Sequence, residues 1–100
     1  MQKQKIYISG KITGLDYQET FNNFERIENM LIERGYDVVN PMKLCPKNDS
    51  WEWADYMEKD LGALLRCNAI YLMKNWSDSL GARCEFLVAR EIGLKIDLEI

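Results

Sequence analysis

Ile6-Tyr7-Ile8-Ser9-Gly10-Lys11-Ile12-Thr13-Gly14 is the stretch whose reading decides the fold. The β-branched and aromatic run Ile6 to Ile8 favours an extended strand, and Ser9-Gly10 stops it ahead of a tight loop supplied with two glycines. Strand followed by glycine loop is the opening of an α/β unit, and the residues beyond it continue the pattern. Asp16 with Glu19 three positions on is a capping-box signal, Phe24, Ile27 and Leu31 follow at helical spacing, and Gly35 offers a stop. A helix over roughly 17 to 34 is predicted. Tyr36 to Asn40, with Val38-Val39 at its centre and Pro41 at its end, reads as a second strand, and Pro41 to Ser50 as a loop.

Asp49 and Glu52 repeat the capping signal ahead of a helix from about Trp51 to Arg66, with Trp53, Met57, Leu61 and Leu64 along one side. Ala69 to Met73 is apolar without alternation, as a strand covered on both faces should be. After the polar stretch Lys74 to Ser77, Asp78 or Ser79 caps a third helix that runs to about Glu91, and Gly93 ends it. Lys95 to Ile100 alternates Ile96, Leu98 and Ile100 with charges, the pattern of an edge strand. The order β-α-β-α-β-α-β predicts one domain over 1–100: a three-layer α/β/α sandwich on a mainly parallel four-stranded sheet, flavodoxin- or Rossmann-like, with right-handed crossovers. Ligands of such folds bind beyond the carboxyl ends of the strands. Three segments gather there: Ser9 to Gly14, Pro41 to Ser50 and Lys74 to Gly81.

Composition narrows the function. The 100 residues carry 13 basic and 16 acidic side chains, a formal charge of −3, spread along the chain. Without a dense positive surface, duplex nucleic acid is not an expected partner. Cys45, Cys67 and Cys84 share no C-x-x-C spacing, and there is no histidine. Neither a metal site nor a cofactor is expected, and the thiols read as core or incidental residues in a reducing compartment. The polar N-terminus enters a strand directly and no apolar run approaches a membrane span, so the expectation is a cytoplasmic protein with no membrane partner. A chain this short buries a modest fraction of its surface, which favours a homodimer or higher homo-oligomer.

Two carboxylates stand out. Glu85 has Gly81, Ala82, Val88 and Ala89 as its helical neighbours three and four positions away, so it faces the packed side, and an ionised carboxylate there is costly unless bonded. Gly81 and Ala82 are small enough to let a ligand approach the first turns of the helix. Asp60 sits among Trp53, Tyr56, Met57, Leu61 and Leu64 on the apolar side of the preceding helix. A pair of inward carboxylates with separated roles suits glycosyl chemistry, one at the anomeric carbon and one at the leaving group's proton. The plainer alternatives are that Glu85 ties down a loop and that Asp60 pairs with Arg66, Arg83 or a lysine. In the glycine loop, Lys11 and Thr13 add donors to backbone N–H groups that can meet an anion, although an ordinary strand-to-helix turn has the same look. Ser79 is a second possible anion contact at a helix N-terminus, and N-capping alone would also explain it. Trp51, Trp53 and Trp76 lie near the loops, where an indole can stack on a nucleobase, pack in the core or bury an interface.

Tyr7-Ile8-Ser9-Gly10 at the first strand's end, Asp60-Leu61-Gly62 in a helix and Ser79-x-Gly81-x-x-x-Glu85 opening another are together similar to the nucleoside 2-deoxyribosyltransferase superfamily. That superfamily includes relatives that hydrolyse the N-glycosidic bond of 2′-deoxynucleoside 5′-monophosphates. The resemblance runs from roughly Lys5 to Gly93 and points to a compact branch, shorter than typical transferases and without their C-terminal segment. It implies that Glu85 is the nucleophile of a covalent deoxyribosyl intermediate, that Tyr7 holds it, and that Asp60 exchanges a proton with the base. It further implies a nucleoside or nucleotide in a site edged by Ser9, Gly10, Lys11, Thr13, Gly81 and Trp76. A serine at position 79, where transferases of free nucleosides tend to carry aspartate, implies a 5′-phosphate contact. Two other classes of function fit the same residues: a non-catalytic nucleotide binder or sensor, and an oligomeric interaction domain.

Overall fold

The alternation of side chains along the first strand sets the layers of the molecule. The computed structural model describes residues 3–100. Strand β1 (Lys5–Ser9) sends Ile6 and Ile8 to one face of the sheet and Tyr7 and Ser9 to the other, because successive residues of a strand point to opposite sides. Helix α1 (Tyr17–Glu33) covers the first face with Phe24, Ile27 and Leu31, all fully buried against Ile6, Ile8 and Tyr71. Helices α3 (Trp53–Leu64) and α4 (Leu80–Glu91) cover the second, where Leu64 and Ala89 pack on Tyr7, Ile70 and Leu72. Three layers result, α/β/α, as the sequence pattern predicts.

Strands β2 (Asp37–Val39), β3 (Ala69–Leu72) and β4 (Lys95–Leu98) complete an all-parallel sheet in the order β2-β1-β3-β4. β1 pairs with β2 through Ile6↔Val38 and with β3 through Tyr7↔Ile70. From β1 the chain moves outward to β2, then crosses back to β3 on the other side. The order reverses between β1 and β3, and a crevice opens past their carboxyl ends at that reversal. Every residue of β3 is buried, while β4 lies at the edge with Ile96 and Leu98 exposed. Gly35 and Gly93, both at positive φ, end α1 and α4 in the left-handed conformation that favours glycine.

Three local readings differ. The stretch read as a loop from Pro41 begins with a helical turn, α2 (Pro41–Leu44), because Asn40 caps it by accepting from the Met42 N–H and Pro41 occupies the first helical position. Helix α3 starts at Trp53 and not Trp51: the reciprocal cap is Glu52 with Asp55, one turn beyond the expected Asp49. The stretch read as polar loop ends in a 3₁₀ turn, Trp76–Asp78, and Ser79 then caps α4 by accepting from the Ala82 N–H. Among the described residues no helix is long and apolar enough to cross a membrane.

Candidate functional site

Tyr7 and Ser9, two positions apart on β1, lie roughly 6.5 Å apart on one face of the sheet and converge on one group. The Tyr7 hydroxyl donates to Glu85 Oε2 at 2.7 Å, and the Ser9 hydroxyl donates to Oε1 at 2.7 Å. Each carboxylate oxygen has its own donor. Glu85 is 5% exposed, and Tyr7 and Ser9 are fully buried, so the carboxylate is held at one rotamer by strand residues that cannot move far.

Burial dominates the electrostatics. It pushes Glu85 up to about 7, over the opposing effect of the two donated hydrogen bonds, and the nearby Asp60 charge adds to the rise. Asp60 is raised to about 6 by the same loss of water, moderated by the Cys45 thiol, which lies 3.6 Å from Oδ1. Burial and then the Glu85 charge raise Tyr7 well above the usual phenol range, so it remains a neutral donor. Among the described residues no ion pair involves either carboxylate. Arg83, one expected partner of Asp60, instead donates to the Ser77 carbonyl oxygen at 2.8 Å.

Tyr7, Asp60 and Glu85 line one cavity of about 360 Å³, together with Gly10, Thr13, Ser79 and Gly81. That volume suits a nucleoside-sized molecule. Gly10 packs so closely that a Cβ there would fall 2.7 Å from Met73 Sδ, which explains why the loop leaves the strand on a glycine. A Cβ at Gly81 would stand 3.2 Å from Met57 Sδ and 3.7 Å from Trp53 Nε1, so the small residue keeps the wall of the cavity open. Three other residues singled out in the sequence lie elsewhere. Ser9 sits behind Glu85 and not on the cavity wall, Lys11 lines a separate hollow beside α1, and Trp76 packs on Phe86 with ring centroids 4.9 Å apart.

The sequence reading left several wall residues unassigned. Tyr17, Met42, Cys45, Lys47, Tyr56 and Met57 all line the cavity, and Trp53, 49% exposed, stands at its rim. Trp53 was legible as an aromatic near a loop. Cys45 and Lys47 carry no comparable signal, because their placement depends on the α2 turn. Among the described residues no cluster of three or more histidine, cysteine, aspartate or glutamate side chains is arranged to hold a metal ion.

A stability prediction follows from the burial. With a native pKa near 7 against 4.5 for an ordinary glutamate, Glu85 keeps its proton in the folded chain between about pH 4.5 and 7 while the unfolded chain has lost it. The native state then binds more protons, so stability falls as pH rises through that window, and the loss is complete above it. Glu85→Gln removes this loss while Tyr7 and Ser9 still have an amide to bond. Its melting temperature is expected to match the wild type near pH 4.5 and to exceed it at pH 8 by several degrees, an effect of order 1–3 kcal/mol. Calorimetry at the two pH values checks this.

Residues 4–98 match the profile of a family described as a domain of unknown function, DUF4406. Among curated proteins none matches the chain significantly in sequence. Two solved structures share the fold. A 2-deoxyribosyltransferase from Bacillus psychrosaccharolyticus superposes with a TM-score of 0.72 at 18% identity, over 94% of this chain and 70% of that one. A 2-deoxyribosyltransferase from Leishmania mexicana gives 0.68 at 17% identity, over 95% of this chain and 63% of that one.

Proposed function

We propose that this chain, which belongs to the DUF4406 family, cleaves or transfers the N-glycosidic bond of a 2′-deoxynucleoside or its 5′-monophosphate through a covalent intermediate on Glu85. The single observation that carries the reading is the clamp on Glu85: a buried carboxylate with a donor on each oxygen, on the wall of a nucleoside-sized cavity that Asp60 also lines. The shared fold with two 2-deoxyribosyltransferases supports it.

The chemistry is a double displacement. Glu85 in its ionised form attacks C1′ of the sugar while the C1′–N bond breaks, and Asp60 delivers its proton to the departing base. The deoxyribosyl ester on Glu85 is then opened by water, or by a second base in a transfer, with ionised Asp60 taking the incoming group's proton. Tyr7 and Ser9 fix the attacking oxygens, so that part of the orientation entropy is lost in folding and not at the transition state. Trp53, Tyr17 and Tyr56 offer aromatic faces to the base. The test is incubation with the four deoxynucleosides and their monophosphates, followed by chromatography for free base. Calorimetric binding without any release of base from any of them would replace this reading by that of a nucleotide binder.

Ser79 and Thr13 carry the aliphatic hydroxyls among the described residues of the cavity wall, and both fit a 5′-phosphate. Ser79→Ala is expected to lower kcat/KM for the monophosphate by roughly 10- to 100-fold, the effect of one lost hydrogen bond to a charged group. The unphosphorylated nucleoside should change little. Loss of the cap on α4 also costs about 1 kcal/mol of stability, so the comparison of the two substrates in the same variant is the informative measurement.

A further inference from the structure

We propose that Cys45 is a positioning residue for Asp60: its thiol, 3.6 Å from Asp60 Oδ1 on the shared cavity wall, donates to the carboxylate and holds it toward the space that Glu85 faces. The catalytic meaning of this contact rests on the reading of Asp60 given above. The contact itself does not.

Asp60 is 8% exposed and comes from the middle of α3, with no cation paired to it among the described residues. The ionised form of such a group needs hydrogen-bond donors. The donor given to it is Cys45, which follows α2 and is itself 7% exposed. The charged and titratable groups around Asp60 come from five segments. Glu85 on α4 and Tyr7 on β1 feel its charge, Tyr17 on α1 shares its cavity, Cys45 and Lys47 follow α2, and Tyr56 and Lys59 lie on α3. Glu85 opposes its charge, Tyr7 spends its proton on Glu85, and among the described residues the thiol alone stands within bonding distance.

A thiol is a weak donor, and that weakness fits the task. A strong donor such as a guanidinium would fix Asp60 as a permanent carboxylate, whereas the S–H leaves it near the midpoint of its titration at about 6. When Asp60 passes its proton to the base, the thiol is already placed to donate to the resulting carboxylate. The influence runs both ways. Burial, followed by the Asp60 charge, pushes the Cys45 thiol up to about 11, so in the intact site it is a donor and not a nucleophile.

The carboxyl carbon of Asp60, followed by NMR with pH, tests this without any substrate. Cys45→Ala is expected to move the Asp60 midpoint up by about half a pH unit, and Cys45→Ser to restore it to the wild-type value or below. An unchanged midpoint in a folded Cys45→Ala variant overturns the proposal. Should that variant not fold, alkylation by iodoacetamide at pH 8 gives the answer in the thiol itself. Cys45 is expected to react several-fold faster in Asp60→Asn than in the wild type, with Cys84 as the internal reference. Equal rates overturn the proposal. A protein that shows both effects and releases no base keeps the contact and refutes only the enzymatic reading.

Discussion

Glu85→Gln is expected to reduce release of base by on the order of 10³-fold or more while leaving substrate affinity within a few-fold of the wild type. The amide has nearly the same shape as the carboxylate. It still accepts from Tyr7 and can donate to Ser9, so the cavity keeps its walls. What is lost is the electron pair that attacks C1′. Because the same change is expected to stabilise the fold above pH 7, loss of activity cannot be ascribed to unfolding. A buried carboxylate that weakens its own protein and is nevertheless present is the pattern of a group held for function.

Asp60→Asn is expected to cost about 10²- to 10⁴-fold in kcat for ordinary bases, the usual contribution of a positioned acid. The loss should be much smaller for a substrate whose leaving group departs without a proton. The pH profile separates the two carboxylates further. With Asp60 raised to about 6 and Glu85 to about 7, and each opposing the other's charge, the pair loses its protons in two overlapping steps. The form with one proton is most abundant between about pH 6 and 7, and the reactive arrangement, Glu85 ionised and Asp60 protonated, is a minority isomer of it that rises and falls with it. A bell-shaped kcat/KM with its maximum there is expected for the wild type. In Asp60→Asn the falling limb at high pH should vanish. The rising limb, then set by Glu85 alone, should move up from the pair's first proton loss near 6 to a value just below 7, because the charge that helped to raise Glu85 is gone. Stopped assays from pH 5 to 9 distinguish these shapes.

Much of this architecture is legible in the residues. Two-residue alternation in β1 and 3.6-residue spacing in α1 assign faces without reference to anything distant, and the glycines at 35 and 93 end their helices where expected. The inward turn of Glu85 and Asp60 is legible for the same reason: their helical neighbours are small or apolar, and both side chains are buried. Residues in loops are harder. Lys11 follows Gly10 directly, yet the two end in different hollows, because the loop turns across the top of the sheet and its side chains reach either face. Trp76 lies in a 3₁₀ turn whose register points its ring at Phe86. The α2 turn had a signal, Asn40 followed by Pro41, but a proline after a strand reads equally well as a stop. With that turn went the positions of Cys45 and Lys47 on the cavity wall. Ser9 shows a subtler limit: its face is given by strand period, but whether it meets substrate or Glu85 depends on how closely α4 packs on β1.

The covalent step is open to direct view by intact-mass spectrometry after incubation with a 2′-fluorinated deoxynucleoside or its monophosphate, whose electron-withdrawing substituent slows opening of the ester more than its formation. The expected result is a mass increase of one sugar unit, placed on Glu85 by peptide mapping and missing from Glu85→Gln. Release of base with no modified protein at any time, or a sugar carried on another residue, would contradict the assignment of Glu85 as the attacking group.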